Sequence, residues 1–136
     1  MKTLLFPTTL NSRLKRGEIV FGSFVQAPCC AGIEILGLAG FDFAILDCEH
    51  GPLGIETIEM LIRACHATGL IPLVRMPQAS GADLLRVLDS GAAGVHVPHI
   101  SCREDAEAVV AMVRYYPAGD RGLNPYVRAN SFGAQN

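Results

Sequence analysis

The stretch Phe41-Asp42-Phe43-Ala44-Ile45-Leu46-Asp47-Cys48-Glu49-His50-Gly51-Pro52 decides how this chain folds. Residues 43–47 are apolar until the final aspartate, as expected of a strand covered on both faces in a parallel sheet. On either side, short β-rich runs alternate with longer helical ones. Residues 19–25 form a strand and residues 33–39 a compact apolar helix, with Gly40 just past its end. Downstream, residues 55–68 place Ile58, Leu61, Ile62 and Cys65 on one helical face, and Gly69 closes that helix. Residues 72–75 are a third strand. A helix over about 82–90 has Ser80 and Asp83 in capping-box spacing and Gly91 at its end. Residues 94–97 are a fourth strand. Ser101 and Glu104 then form a second capping box, opening a helix with Ala106, Val109, Val110 and Val113 at i, i+3, i+4 and i+7.

Strand–helix alternation four times over, with short connections, means βα units on a parallel sheet. An open doubly wound sheet and part of an eight-stranded barrel both fit. A whole barrel needs about 250 residues, and this chain has 136. The expectation is α/β, the N-terminal half of a (β/α)8 TIM barrel with about four βα units. Residues 1–136 form one unit, and residues 117–136, rich in Gly, Pro, Asn and Arg, form a terminal loop leading toward the other half.

Half of the residues are hydrophobic and 18% are charged, which excludes a disordered chain. The net charge of −2 and scattered basic residues give no footprint for nucleic acid or an anionic membrane surface. The apolar run Leu4-Leu5-Phe6 stops at Pro7, too short for a signal-peptide core, and no stretch approaches the roughly 20 residues of a membrane span. Five cysteines without CxxC spacing read as reduced thiols of a cytoplasmic protein, not as a disulfide framework or zinc site.

Polar residues collect at strand ends, where a barrel places its chemistry. The second strand runs into Asp47-Cys48-Glu49-His50, the third ends in Arg75, and the fourth runs into Pro98-His99. Unpaired charge is costly at the end of a buried strand, so such clustering points to a site. His50 is a candidate general base, with a carboxylate such as Asp47 holding its tautomer, a reading its charged neighbours favour over that of a loop histidine satisfying a turn. Arg75 could hold a carboxylate or stabilise an enolate oxygen, or it could form a structural ion pair with Asp47 or Glu49. His96 and His99 are three apart, so on a strand they face opposite ways and do not suggest a shared ion with His50. His66 reads as an ordinary helix residue, Cys48 as a small buried side chain, and Asp120-Arg121 as a solvated turn. Asp89, at the end of a helix, opposes the helix dipole and wants a partner. No Gly-rich phosphate loop of standard spacing is present.

The 41–52 stretch resembles the D-x-E-H segment of the HpcH/HpaI aldolase family. Pro72-Leu73-Val74-Arg75, Leu88-Asp89-Ser90-Gly91-Ala92 and Tyr116-Pro117-Ala118-Gly119-Asp120-Arg121-Gly122 follow in the family's order and spacing. The resemblance implies a metal-dependent (class II) aldolase on a (β/α)8 barrel, cleaving 4-hydroxy-2-oxo acids to pyruvate and an aldehyde. His50 would be the proton acceptor, Arg75 the stabiliser of the enolate, Asp47 the support of the imidazole, and Asp89 the residue raising its basicity. With only Lys2 and Lys15 present, a Schiff-base mechanism has no candidate lysine. The resemblance also implies Mg²⁺, Mn²⁺ or Co²⁺ in the complete enzyme, with metal ligands beyond the point matching Asn136, and a homo-oligomer. The expectation is therefore that this chain alone binds no metal and is inactive. The alternative is a non-catalytic half-barrel that associates with itself or with a complementing chain.

Overall fold

The computed structural model describes residues 10–134; the amino-terminal segment weighed above as a leader, with Lys2, lies outside them. Four strands, β1 (Gly22–Val25), β2 (Phe43–Asp47), β3 (Ile71–Arg75) and β4 (Gly94–His96), alternate with helices α2 (Cys30–Leu38), α3 (Ile55–Thr68), α4 (Gly81–Asp89) and α5 (Arg103–Val113). A short helix, α1 (Leu10–Lys15), precedes them. The strands form one parallel sheet in the order β1-β2-β3-β4. This is the expected half-barrel: sequential βα units, with no strand inserted out of order as a doubly wound sheet would require.

Alternation along the strands gives the sheet two different faces. Ala44, Leu46 and Val74 point outward into a dry core with Ile33 of α2, Ile58, Leu61, Ile62 and Cys65 of α3, and Leu84 and Val87 of α4. The inner face carries the rows Phe24–Ile45–Leu73 and Asp47–Arg75–His96. It is far less covered, and Phe24 remains 50% exposed. A cavity of about 530 Å³ opens at the N-terminal end of this face, between Leu10, Leu14, Ile71, Leu73, Leu88 and Tyr115. It is mainly apolar and lies away from the polar strand ends, so it reads as unfilled barrel interior.

Helix α3 spans the residues read from its periodicity, and Gly69 closes it in the left-handed conformation (φ +77°) that glycine adopts without strain. Ser80 caps α4 by accepting from the Asp83 N–H. Other boundaries differ from the sequence reading. Strand β1 begins at Gly22, not residue 19, because the Asp42 carboxylate takes the Phe21 N–H and pairing with β2 starts at Gly22–Phe43. The second capping box is shifted by one residue: Cys102 is the N-cap of α5, and Asp105 Oδ2 accepts from the N–H groups of Ser101 and Cys102 and from the Ser101 hydroxyl. Helix α1, six residues with none buried, has no apolar face for a sequence pattern to show.

The segment read as a terminal loop is partly ordered, with a 3-10 turn over Arg128–Gly133. Arg128 Nη2 lies 3.0 Å from His66 Nδ1, so His66 is not an ordinary helix residue but the contact by which the terminal segment packs on α3. Burial, reinforced by the neighbouring Arg128 charge, pushes the His66 pKa down. Arg121 is likewise no solvated turn: it lies over the Tyr115 ring at 4.7 Å and donates to Asp89 Oδ1 at 2.8 Å. That ion pair supplies the partner Asp89 needs at the end of α4.

Candidate active site

The C-terminal ends of β1, β2 and β3 converge on one carboxylate. Asp47 is completely buried and accepts from five donors. Oδ1 takes Arg75 Nε (2.9 Å) and the backbone N–H groups of Glu49 (3.1 Å) and His50 (3.2 Å). Oδ2 takes Arg75 Nη2 (2.7 Å) and Gln26 Nε2 (2.8 Å). A charge taken out of water requires this degree of satisfaction. The Arg75 guanidinium, helped by Gln26 and the two N–H groups and opposed by burial, holds the Asp47 carboxyl far below the ordinary range. Reciprocally, the Asp47 carboxylate holds the Arg75 guanidinium more firmly charged.

Arg75 thus forms both structural pairs that its position suggested, since Nε also lies 3.3 Å from Glu49 Oε2. Its guanidinium sits over the Phe24 ring at 4.7 Å. With Nε and Nη2 engaged on Asp47, Nη1 has no hydrogen-bond partner among the described residues. The result is a rigid cation with one donor group left over at the mouth of the sheet.

His50 follows in the turn, and Gly51 makes that turn possible: a Cβ there would run into the Asp47 carbonyl oxygen. Asp47 holds the His50 backbone N–H, not its ring. The carboxylate nearest the imidazole is Glu49, with Oε2 3.9 Å from His50 Nε2. Glu49 Oε1 lies 3.4 Å from His99 Nε2, so Glu49 stands between two histidines and Arg75. His99 has a positive φ of +59° and a largely exposed side chain. His96 pairs in register with Arg75 and shares its face of the sheet.

Among the predicted residues, then, the fold brings Asp47, Arg75 and His50 together. It does not bring Asp89 to them. Helix α4 runs back along the sheet, and Asp89 lies with Arg121 near the start of β4, at the end opposite His50. Gln26, Phe24, Glu49 and His99 complete the cluster. Glu49 was legible as an ion-pair partner of Arg75 and His99 as part of a polar strand end, whereas Gln26 and Phe24 join through strand register, which no local pattern encodes. Cys48 is half-buried; burial first, then the Asp47 charge, pushes its thiol pKa up, as suits a packing residue. Among the described residues no group of three or more His, Cys, Asp or Glu side chains is placed to hold a metal ion. No described helix is long and apolar enough to cross a membrane.

Comparison with known proteins gives the family and the fold. The family model "HpcH/HpaI aldolase/citrate lyase" matches residues 21–131. A 5-keto-4-deoxy-D-glucarate aldolase of Escherichia coli is 35% identical over 133 residues, covering 98% of this chain and 52% of the relative. The crystal structure of citrate synthase SbnG superposes with a TM-score of 0.81 at 43% identity, covering 86% of this chain and 48% of that one. An HpcH/HpaI aldolase/citrate lyase family protein from Burkholderia cenocepacia superposes with a TM-score of 0.87 at 32% identity, covering 93% and 52%. The chain spans about half the length of the relatives it matches. On the matching model, the shared fold and the strand-end cluster together, this chain belongs to the HpcH/HpaI aldolase/citrate lyase family.

Proposed function

We propose that the protein is a carbon–carbon lyase of the pyruvate-aldolase type, converting 4-hydroxy-2-oxo acids reversibly to pyruvate and an aldehyde. One observation carries this reading: Arg75, fixed by a fully satisfied Asp47, has Nη1 without a partner among the described residues, and Glu49 at the barrel mouth contacts both Arg75 and His50. In the synthetic direction His50 takes a proton from C3 of pyruvate, and the electron pair moves toward the C2 oxygen. Arg75 Nη1 donates to that oxygen as its charge develops, with no reorganisation, because Asp47 already holds the fork in place. The C3 carbanion equivalent then bonds to the aldehyde carbon, and the new alkoxide takes up the proton that His50 removed, which regenerates the base. Cleavage reverses these steps. The described residues do not form a metal site by themselves, so no step here runs through a metal.

Asp47 supports His50 through its backbone in this scheme, and Glu49 is the carboxylate beside its ring. The Asp89 of the same chain cannot act on His50 from the far end of the sheet. Any such effect has to come from another copy in a homo-oligomer.

The test is exchange of the pyruvate methyl protons with D₂O, followed by NMR, with and without added Mg²⁺ or Mn²⁺. We expect exchange by a protein that carries this chain within the full length of its relatives, none by the 136 residues alone, and a loss of at least about 100-fold in His50→Ala of the longer protein, as for removal of a general base. Full exchange surviving in His50→Ala would overturn the assignment. A second reading, a half-barrel that only associates, is favoured by the poorly covered inner face at Phe24. It predicts no exchange in wild type and a mass above that of one chain in light scattering. The similarity to a citrate synthase leaves the acceptor open, and replacing the aldehyde by other carbonyl acceptors in the same assay addresses it.

A further inference from the structure

We infer that Gln26 is a positioning residue for the proton transfer, holding the Arg75 guanidinium and the His50 turn in one fixed relation; this rests on the aldolase reading above. Gln26 follows the last residue of β1, and because Val25 pairs with Leu46, continuing the register places it beside Asp47. The residue is exposed, yet its amide reaches the completely buried carboxylate: Nε2 donates to Asp47 Oδ2 at 2.8 Å. The same oxygen accepts from Arg75 Nη2 at 2.7 Å, so amide and guanidinium share one acceptor. Phe24 meets the face of the guanidinium and Glu49 its Nε, whereas Gln26 anchors the oxygen on the Nη2 side. Without the amide, Oδ2 would keep Arg75 as its one donor among the described residues, and the fork would lose a fixed point. A neutral donor is what this place calls for. A second cation would compete with Arg75 for the carboxylate, and an anion would repel it. The backbone of Gln26 also meets the His50 turn. A Cβ added at Gly51, next to His50, would lie 3.1 Å from the Gln26 Cα and 3.3 Å from its carbonyl oxygen. One residue thus braces the turn of the base through its backbone and the arginine through its amide. Arg75 acts on an oxygen whose charge develops in the transition state, so its placement bears on kcat more than on ground-state binding.

The experiment measures exchange of the pyruvate methyl protons at varied pyruvate concentration, in the longer protein that carries this chain, for wild type and Gln26→Met. Methionine keeps the length of the side chain and removes the amide. Because the position is exposed, the fold should persist, which circular dichroism checks. The value of kcat should fall about tenfold, the scale of one lost hydrogen bond to a charged group, while KM for pyruvate changes by less than about twofold. The Arg75 Nε–H, followed by NMR of the arginine side chains, should exchange with solvent faster in the variant than in wild type. A side chain that merely packs at the strand end predicts wild-type kcat in Gln26→Met. That result, or a raised KM at unchanged kcat, would overturn the role of Gln26 while leaving the aldolase reading intact. So would a lowered kcat with Arg75 Nε–H exchange unchanged, since the amide would then not act through Arg75. Absence of pyruvate exchange in the wild type would remove the aldolase reading itself, and the role of Gln26 with it.

Discussion

At the scale of single residues, Asp47 and Arg75 were legible because charge at the end of an apolar strand has few explanations besides a pair or a site. What Asp47 does was less legible. It was read as support for an imidazole, yet its five acceptor contacts go to a guanidinium, an amide and two backbone N–H groups. Because the folded Asp47 is held below the ordinary carboxylate range, its ionised form stabilises the fold above the unfolded pKa of about 4. That contribution is lost as pH falls further, through the folded value. Asp47→Asn should therefore flatten the acid limb of stability against pH below about 4, and should lower the melting temperature at pH 7, measured by circular dichroism. Asp89 separates stability from chemistry. Breaking its partly buried pair with Arg121 by Asp89→Asn should cost about 2 kcal/mol. A shifted pH profile of pyruvate exchange in the same variant would reveal a second action, across a subunit boundary.

Among the elements, α3 was read to the residue because a 14-residue amphipathic helix states its period several times and ends on a glycine. Helix α1 has only six residues, too few to declare a face, and the Arg128–Gly133 turn depends on contacts with α3 and α4 that no local pattern encodes. Burial sets the consequences. Leu84→Ala, removing a completely buried side chain of α4, should cost about 3 kcal/mol in denaturant unfolding. The contact between His66 and Arg128 should be sensitive to pH. The folded His66 pKa is depressed, first by burial, so its neutral form stabilises the fold fully above the unfolded value of about 6.5. This stabilisation is lost as pH falls through the folded value. Thermal melts should show a decline on acidification below about pH 6.5 in wild type, and a flatter one in His66→Gln.

For the molecule as a whole, the half-barrel followed from counting: four βα units in half the length of a barrel. The unequal faces of its sheet followed less directly, since the sequence of β2 is apolar toward both. Expressed as these 136 residues alone, the chain should associate through its inner face, giving a light-scattering mass above 14.5 kDa that falls in Phe24→Ser. A monodisperse monomer would show that this face is tolerated in water. The row Gln26–Asp47–Arg75–His96 draws one member from each strand or its end. A shift of one residue in any strand would send its member of the row among the helices and bring a core residue to the mouth. Activity is thus a sharper gauge of correct strand alignment than helix content. A one-residue insertion within β3 should leave a near-normal far-ultraviolet spectrum and a dead protein, whereas the same insertion in the Ala118–Gly122 region lies outside that alignment. Length variation among functional descendants of this chain is accordingly expected in its connections, and scarcely at all in its strands.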